Sequence, residues 1–183
     1  MIQYEYKNLG GIEMSKKLIV YYSRAYENYV NGMLKTLKIG NTEAAADIIQ
    51  KLTDADIFKI EQAQDYSKDY NECISQAQSD QKRNARPELK FYPESIDNYD
   101  LIYLGFPNYW GTMPMAVFTF LERFDFSGKT IKPFCTHEGS GMGSSENDIK
   151  MLCSDAVIKK GLAIHGSRVI KSKSDIEKWI EED

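Results

Sequence analysis

The first apolar run, Lys17-Leu18-Ile19-Val20-Tyr21-Tyr22, is short, unbroken and rich in β-branched and aromatic residues, the pattern of a strand buried on both faces of a parallel sheet. From Thr42 the period changes. Ala44, Ala45, Ile48, Ile49 and Leu52 recur at the spacing of a helix with one apolar face. Asp56 to Ile60 gives a second, shorter strand, and residues 68–84 an exposed helix with Ile74 and Ala77 at helical spacing, stopped before Arg86-Pro87. Leu101 to Gly105 is the third strand. Pro114 then opens a helix that carries Ala116, Val117, Phe120, Leu121 and Phe124 on one face and ends near Gly128. Thr130 to Thr136 is the fourth strand, followed by a glycine-rich loop and a helix capped by Ser145 with Asp148. Gly161 to His165 is the fifth strand, followed by a helix capped by Ser174 with Glu177 and running through Ile176, Trp179 and Ile180.

Five strands alternating with helices predict an α/β fold, a three-layer doubly wound parallel sheet. The loops after the first, third and fourth strands therefore emerge together at the carboxyl edge, where open α/β sheets bind ligands. In the first, Ser23 and Arg24 end the strand, and Gly40, Asn41 and Thr42 begin a helix whose free N–H groups suit an anion. Gly-Asn-Thr by itself also reads as a turn and helix cap. The second loop sets two aromatics side by side in Pro107-Asn108-Tyr109-Trp110-Gly111-Thr112-Met113, a costly exposure unless they cover a flat apolar ligand, a neighbouring helix or a dimer surface. The third is Thr136-His137-Glu138-Gly139-Ser140-Gly141. An insertion, Ala25 to Ile39, separates Arg24 from Gly40. Its Tyr26, Asn28, Tyr29 and Asn31 suit either a cover over the ligand or a surface excursion packed by its own tyrosines.

Length and composition narrow the function. The 183 residues, 42% of them hydrophobic and 27% charged, suffice for one buried core and not for two. Residues 16–183 are expected as a single domain, and residues 1–15 as an extension without fixed structure. A net charge of −4 offers no basic stripe, so nucleic acid is not an expected partner. No apolar run approaches the roughly 20 residues that cross a bilayer, so neither is a membrane. Three widely spaced cysteines and two histidines fit no metal site and read as reduced thiols of a cytoplasmic protein. Neither G-x-x-x-x-G-K-[ST] nor G-x-G-x-x-G follows the first strand. A phosphorylated receiver module needs acidic residues where Ser23 and Gly105-Phe106-Pro107 stand.

Tyr21-Tyr22-Ser23-Arg24 followed by Gly40-Asn41-Thr42 resembles the phosphate loop of the flavodoxin family, Y-S-x-T-G-N-T, split by the insertion and with Ala25 at a common threonine position. Pro107 to Pro114 is similar to the P-x-W-W-G-T-x-P segment of a flavodoxin subgroup, with Tyr109 at the first tryptophan. Thr136 to Gly141 resembles that subgroup's third loop. The resemblance covers residues 16–183 and implies a flavodoxin-like sheet of strand order 2-1-3-4-5 with FMN as cofactor. It implies a phosphate held by Ser23, Arg24, Ala25, Gly40, Asn41 and Thr42, and a flavin bordered by the second and third loops. The implied activity is electron transfer through FMN, with redox partner proteins or a small-molecule electron acceptor, as monomer or homodimer. The alternative is an NAD(P)H-dependent FMN oxidoreductase acting on quinone-like acceptors. Neither reading assigns a catalytic side chain, and His137 and Glu138 are expected to shape their loop.

Overall fold

The computed structural model describes residues 16–182; the expected extension, 1–15, lies outside the described residues. Along the chain run β1 (Lys17–Tyr22), β2 (Tyr26–Val30), β3 (Met33–Leu37), α1 (Asn41–Thr53), β4 (Asp56–Ile60), α2 (Tyr70–Lys82) and β5 (Leu101–Pro107). There follow α3 (Met115–Arg123), β6 (Thr130–His137), α4 (Ser145–Leu152), β7 (Val157–Ile158), β8 (Leu162–His165), a 3-10 segment (Gly166–Lys171) and α5 (Lys173–Glu181). β1 pairs in parallel with β4 and β5, and β5 with β6. β7 and β8 both extend β6 on its other side. Counted by the five expected strands, the order is 2-1-3-4-5.

Side chains alternate across this sheet. Leu18, Val20 and Tyr22 of β1 join Ile102, Leu104 and Phe106 of β5 in one core, against Ala116, Val117 and Phe120 of α3 and Ile149 of α4. Ile19 and Tyr21 join Tyr103 and Phe134 in the other, against Ala45, Ala46 and Ile49 of α1 and Ile176 and Trp179 of α5. A strand covered on both faces needs an apolar residue at every position, which is why β1 and β5 read as unbroken apolar runs.

Local chemistry moves several expected boundaries. The insertion forms an antiparallel hairpin, Tyr26 opposite Leu37 and Val30 opposite Met33. Its turn residues Asn31 and Gly32 have φ of 50° and 82°, the left-handed pair whose twist suits a two-residue hairpin. The expected fifth strand is β8, which begins at Leu162 and not at Gly161, whose amide donates to Glu146 Oε1 at 2.7 Å, and the two-residue β7 ahead of it was not expected. α3 stops at Arg123 and not near Gly128: Phe124 is extended, and Phe126 beyond it is drawn into the core. Neither expected capping pair forms. Ser145 lies inside α4, fully buried with its hydroxyl on the Met142 carbonyl, and Asp148 accepts from Ser144 Oγ and Thr112 Oγ1. α5 begins after Ser172, not Ser174, because the 3-10 segment delivers the chain earlier, and Glu177 pairs with Lys173.

Candidate functional site

β1 brings Ser23 and Arg24 to the carboxyl edge of the sheet, and α1 begins beside them. Gly40 permits that approach, since a Cβ there would sit 2.2 Å from Ser23 Oγ and 2.5 Å from the Arg24 carbonyl oxygen. Ser23 Oγ accepts the Glu43 amide at 3.1 Å. It thereby serves one orphan donor of the first turn and keeps its own hydroxyl proton for another acceptor. The amides of Asn41 and Thr42 have no acceptor within the helix, as for any first turn, and both residues line the cavity described below. Thr42 Oγ1 and Thr136 Oγ1 lie 2.7 Å apart in the interior and join this loop to β6. The Glu43 carboxylate, the one acid of that turn, is paired with Lys59 at 2.7 Å, so the positive end of α1 is not cancelled locally.

Arg24 has two roles. Its Nη atoms donate to the carbonyls of Glu27, Ser67 and Lys68 and so fasten the hairpin to the segment before α2. Its Nε is buried without a partner among the described residues, although Arg24 stands in the cavity wall. An unsatisfied buried donor costs about 1–3 kcal/mol, so an acceptor supplied by a ligand fits this atom.

The second and third loops are sewn into one layer. Asn108 Nδ2 donates to the Gly141 carbonyl at 2.9 Å, Asn108 Oδ1 accepts the Gly111 amide at 3.0 Å, and the Ser144 amide donates to the Gly111 carbonyl at 2.7 Å. Gly143 allows this contact. Its φ is 58°, and a Cβ would fall 1.9 Å from Gly111 O. Trp110 also adopts positive φ, 54°, and its indole N–H donates to the Ile74 carbonyl at 2.8 Å, tying the loop to α2. Tyr109 turns inward. Its ring meets Tyr22 edge-on at 6.1 Å, and its hydroxyl lies 3.8 Å from Cys73 Sγ. Burial, with Tyr22 and Cys73 as neighbours, raises the Tyr109 phenol well above its usual range, so it stays protonated.

In the third loop His137 Nδ1 accepts the Gly139 amide at 2.9 Å, which requires a neutral ring at that nitrogen. Burial chiefly, and His165 next, lower the His137 pKa, against an opposing pull from Glu138. Glu138 is tied on both oxygens: Oε1 accepts the Ser167 amide at 3.0 Å and Oε2 the Asn31 amide at 2.9 Å. His165 Nδ1 lies 3.7 Å from Oε2.

These loops enclose one cavity of about 440 Å³, within the range of cofactor sites. Its polar wall is Ser23, Arg24, Asn41, Thr42 and Thr136, and Pro107 to Gly111 and His137 to Ser140 also line it. Five residues expected in the site stand behind that wall. Gly40 packs against Ser23, the Ala25 carbonyl accepts Asn28 Nδ2, Thr112 bonds Asp148, Met113 is core, and Gly141 anchors Asn108. Tyr70, Ile74 and Ala77 of α2 line the cavity and were not expected to. The signal available was the apolar spacing of Ile74 and Ala77, which reads equally well as packing. Of the insertion, Asn28 and Tyr29 line it.

Fold and site together define a class: a doubly wound α/β protein with an anion cradle and an aromatic slot joined at the carboxyl edge of its sheet. A sequence profile of the flavodoxin family matches residues 36–183, and the chain belongs to that family. No curated relative matches it. Among solved structures it is similar to candidate flavoproteins from Bacteroides uniformis ATCC 8492 (26% identity, TM-score 0.72, 92% of this chain and 99% of that one) and Bacteroides eggerthii DSM 20697 (27%, 0.68, 88% and 98%). It also shares its fold with a flavoprotein from Lactobacillus acidophilus NCFM in complex with FMN (20%, 0.61, 86% and 97%).

Proposed function

We propose that this chain is an FMN-dependent redox protein that transfers electrons through FMN held in the cavity at the carboxyl edge. One observation carries the reading: donors suited to a phosphate dianion and an aromatic slot suited to a flat ring share a single cavity of cofactor size. The phosphate falls to the first-turn amides of α1, the Ser23 hydroxyl and Arg24 Nε. The ring falls to Trp110 and Tyr109, with the Gly139 and Ser140 backbone at its edge. FMN supplies one- or two-electron chemistry, and the chain supplies binding, orientation and exclusion of water. The three free thiols are buried, and no helix among the described residues is long and apolar enough to cross a membrane. A cytoplasmic location is our reading of the reduced cysteines alone.

The test is titration of apoprotein with FMN and with riboflavin, followed by flavin absorbance and fluorescence. FMN should bind more tightly by about a hundredfold or more, since several charge-assisted hydrogen bonds at about 1.5–3 kcal/mol each depend on the phosphate. Equal affinity for the two, or a protein that takes up neither, refutes the assignment.

A further inference from the structure

His137 ends β6 and lines the cavity. Its Nδ1 accepts the Gly139 amide at 2.9 Å, so the neutral ring carries its proton on Nε2. A second proton must enter at Nδ1 and break that bond. Gly139, itself in the cavity wall, has a φ of 136°, a positive value that only glycine adopts without strain, and a Cβ there would meet no atom within 4 Å. The peptide therefore has room to turn once the bond is lost. The titratable groups that bear on the ring are Glu138, next in the chain, and His165 of β8, whose ring lies edge-on at 5.7 Å. Both are anchored elsewhere. The Glu138 oxygens accept the amides of Ser167 and Asn31, and His165 Nδ1 lies 2.9 Å from Ser167 Oγ. Arg24 and Tyr70 line the same cavity.

We infer that His137 is the redox-linked proton acceptor of this site: it takes a proton on Nδ1 when the flavin is reduced and returns it on oxidation, releasing and recapturing the Gly139 amide in step. This rests on the FMN reading above. Two electrons and two protons enter. Both electrons and one proton go to the flavin, which gains one negative charge, and the second proton goes to His137. The electrons come from an external low-potential donor, dithionite in the test below, and the protons from solvent. That new charge drives the uptake. A cavity of about 440 Å³ is about 8 Å across, and opposite charges about 8 Å apart at an effective dielectric constant of about 20 raise proton affinity by about thirtyfold. Burial keeps the ring neutral beforehand, and the released Gly139 amide adds a donor to the wall beside the reduced ring.

The test uses FMN-loaded protein, its loading verified by absorbance, oxidised or fully reduced with dithionite under argon, and followed by NMR as pH is varied. The chain has two histidines, so His165→Gln assigns the two ring signals. The His137 midpoint should lie at least about one pH unit higher in the reduced protein than in the oxidised one, a tenfold gain in proton affinity. The Gly139 amide resonance should move with that same midpoint. Between the two midpoints the flavin potential should fall by about 60 mV per pH unit in wild type and about 30 mV in His137→Gln, since each proton coupled to a two-electron change is worth about 30 mV per tenfold change in proton concentration. One midpoint shared by both redox states, a Gly139 amide that ignores the titration, or equal slopes in wild type and His137→Gln overturns the inference with FMN still bound. Failure to load FMN overturns both readings and is seen before any titration.

Discussion

Ser23 and His137 show how single residues set the chemistry of this site. Ser23 Oγ already accepts the Glu43 amide, which leaves its proton available to an acceptor at the mouth of α1. Ser23→Ala should weaken FMN by about tenfold to a hundredfold, the worth of one hydrogen bond to a charged group, and change riboflavin affinity far less; paired fluorescence titrations measure the difference. His137 Nδ1 accepts the Gly139 amide, a bond that protonation breaks. Because burial depresses its pKa in the folded chain, the unfolded chain takes the proton first. The contribution of His137 to stability is therefore full above about 6.5, the unperturbed value, and is lost as pH falls through the lower folded value. An NMR titration should place the His137 midpoint below that of free histidine, and His137→Gln should flatten the decline in stability below pH 6.5 relative to wild type.

At the scale of elements, the C-terminus of α5 is secured by a side chain from the sheet. Lys132 of β6 is buried, and its Nζ donates to the carbonyls of Trp179, Ile180 and Glu182, which complements the negative end of the helix. Lys132→Met keeps the stem's packing and removes those donors. Unfolding should become easier by about 1–3 kcal/mol, seen as a melting temperature lower by roughly 2–12 °C for a domain of this size. Amide exchange should rise first at the end of α5. The hairpin is the contrasting element, since Met33, Leu34 and Tyr26 are exposed on it and its order comes from moorings at Arg24, Glu27 and Glu138. It is held by these polar contacts together with the Tyr29–Tyr70 stack and buried Val30, and not by a core of its own.

The whole molecule buries all three thiols, Cys135 and Cys153 in the core that α3 and α4 cover and Cys73 on the packed face of α2. Burial pushes Cys135 and Cys153 up to about 12, and raises Cys73 against the opposing pull of Arg24 and the Tyr109 hydroxyl. Thiolates are the reactive form, so iodoacetamide at pH 8 should leave the folded protein unmodified and add three groups in denaturant, as read by intact mass. The same burial explains what was legible beforehand. β1 and β5 are unbroken apolar runs that identify themselves, because a strand covered on both faces tolerates little else, and their order with β6 decides which loops share the carboxyl edge. The hairpin of the insertion was not read beforehand, although its Asn31-Gly32 turn, with φ of 50° and 82°, is a local feature. What the chain alone could not say is where long side chains end. The capping pairs at Ser145 and Ser174 matched a spacing, but Asp148 was claimed by Thr112 and Ser144 from the facing loop. Tyr70, Ile74 and Ala77 became cavity wall only because α2 lies beside the second loop. Glu138 became the mooring of a hairpin more than 100 residues earlier. Strands and their edge follow from near-neighbour hydrophobic patterning, whereas partners for Arg24, Glu138 and Asp148 depend on contacts between segments far apart in the chain, which only the folded packing brings within reach.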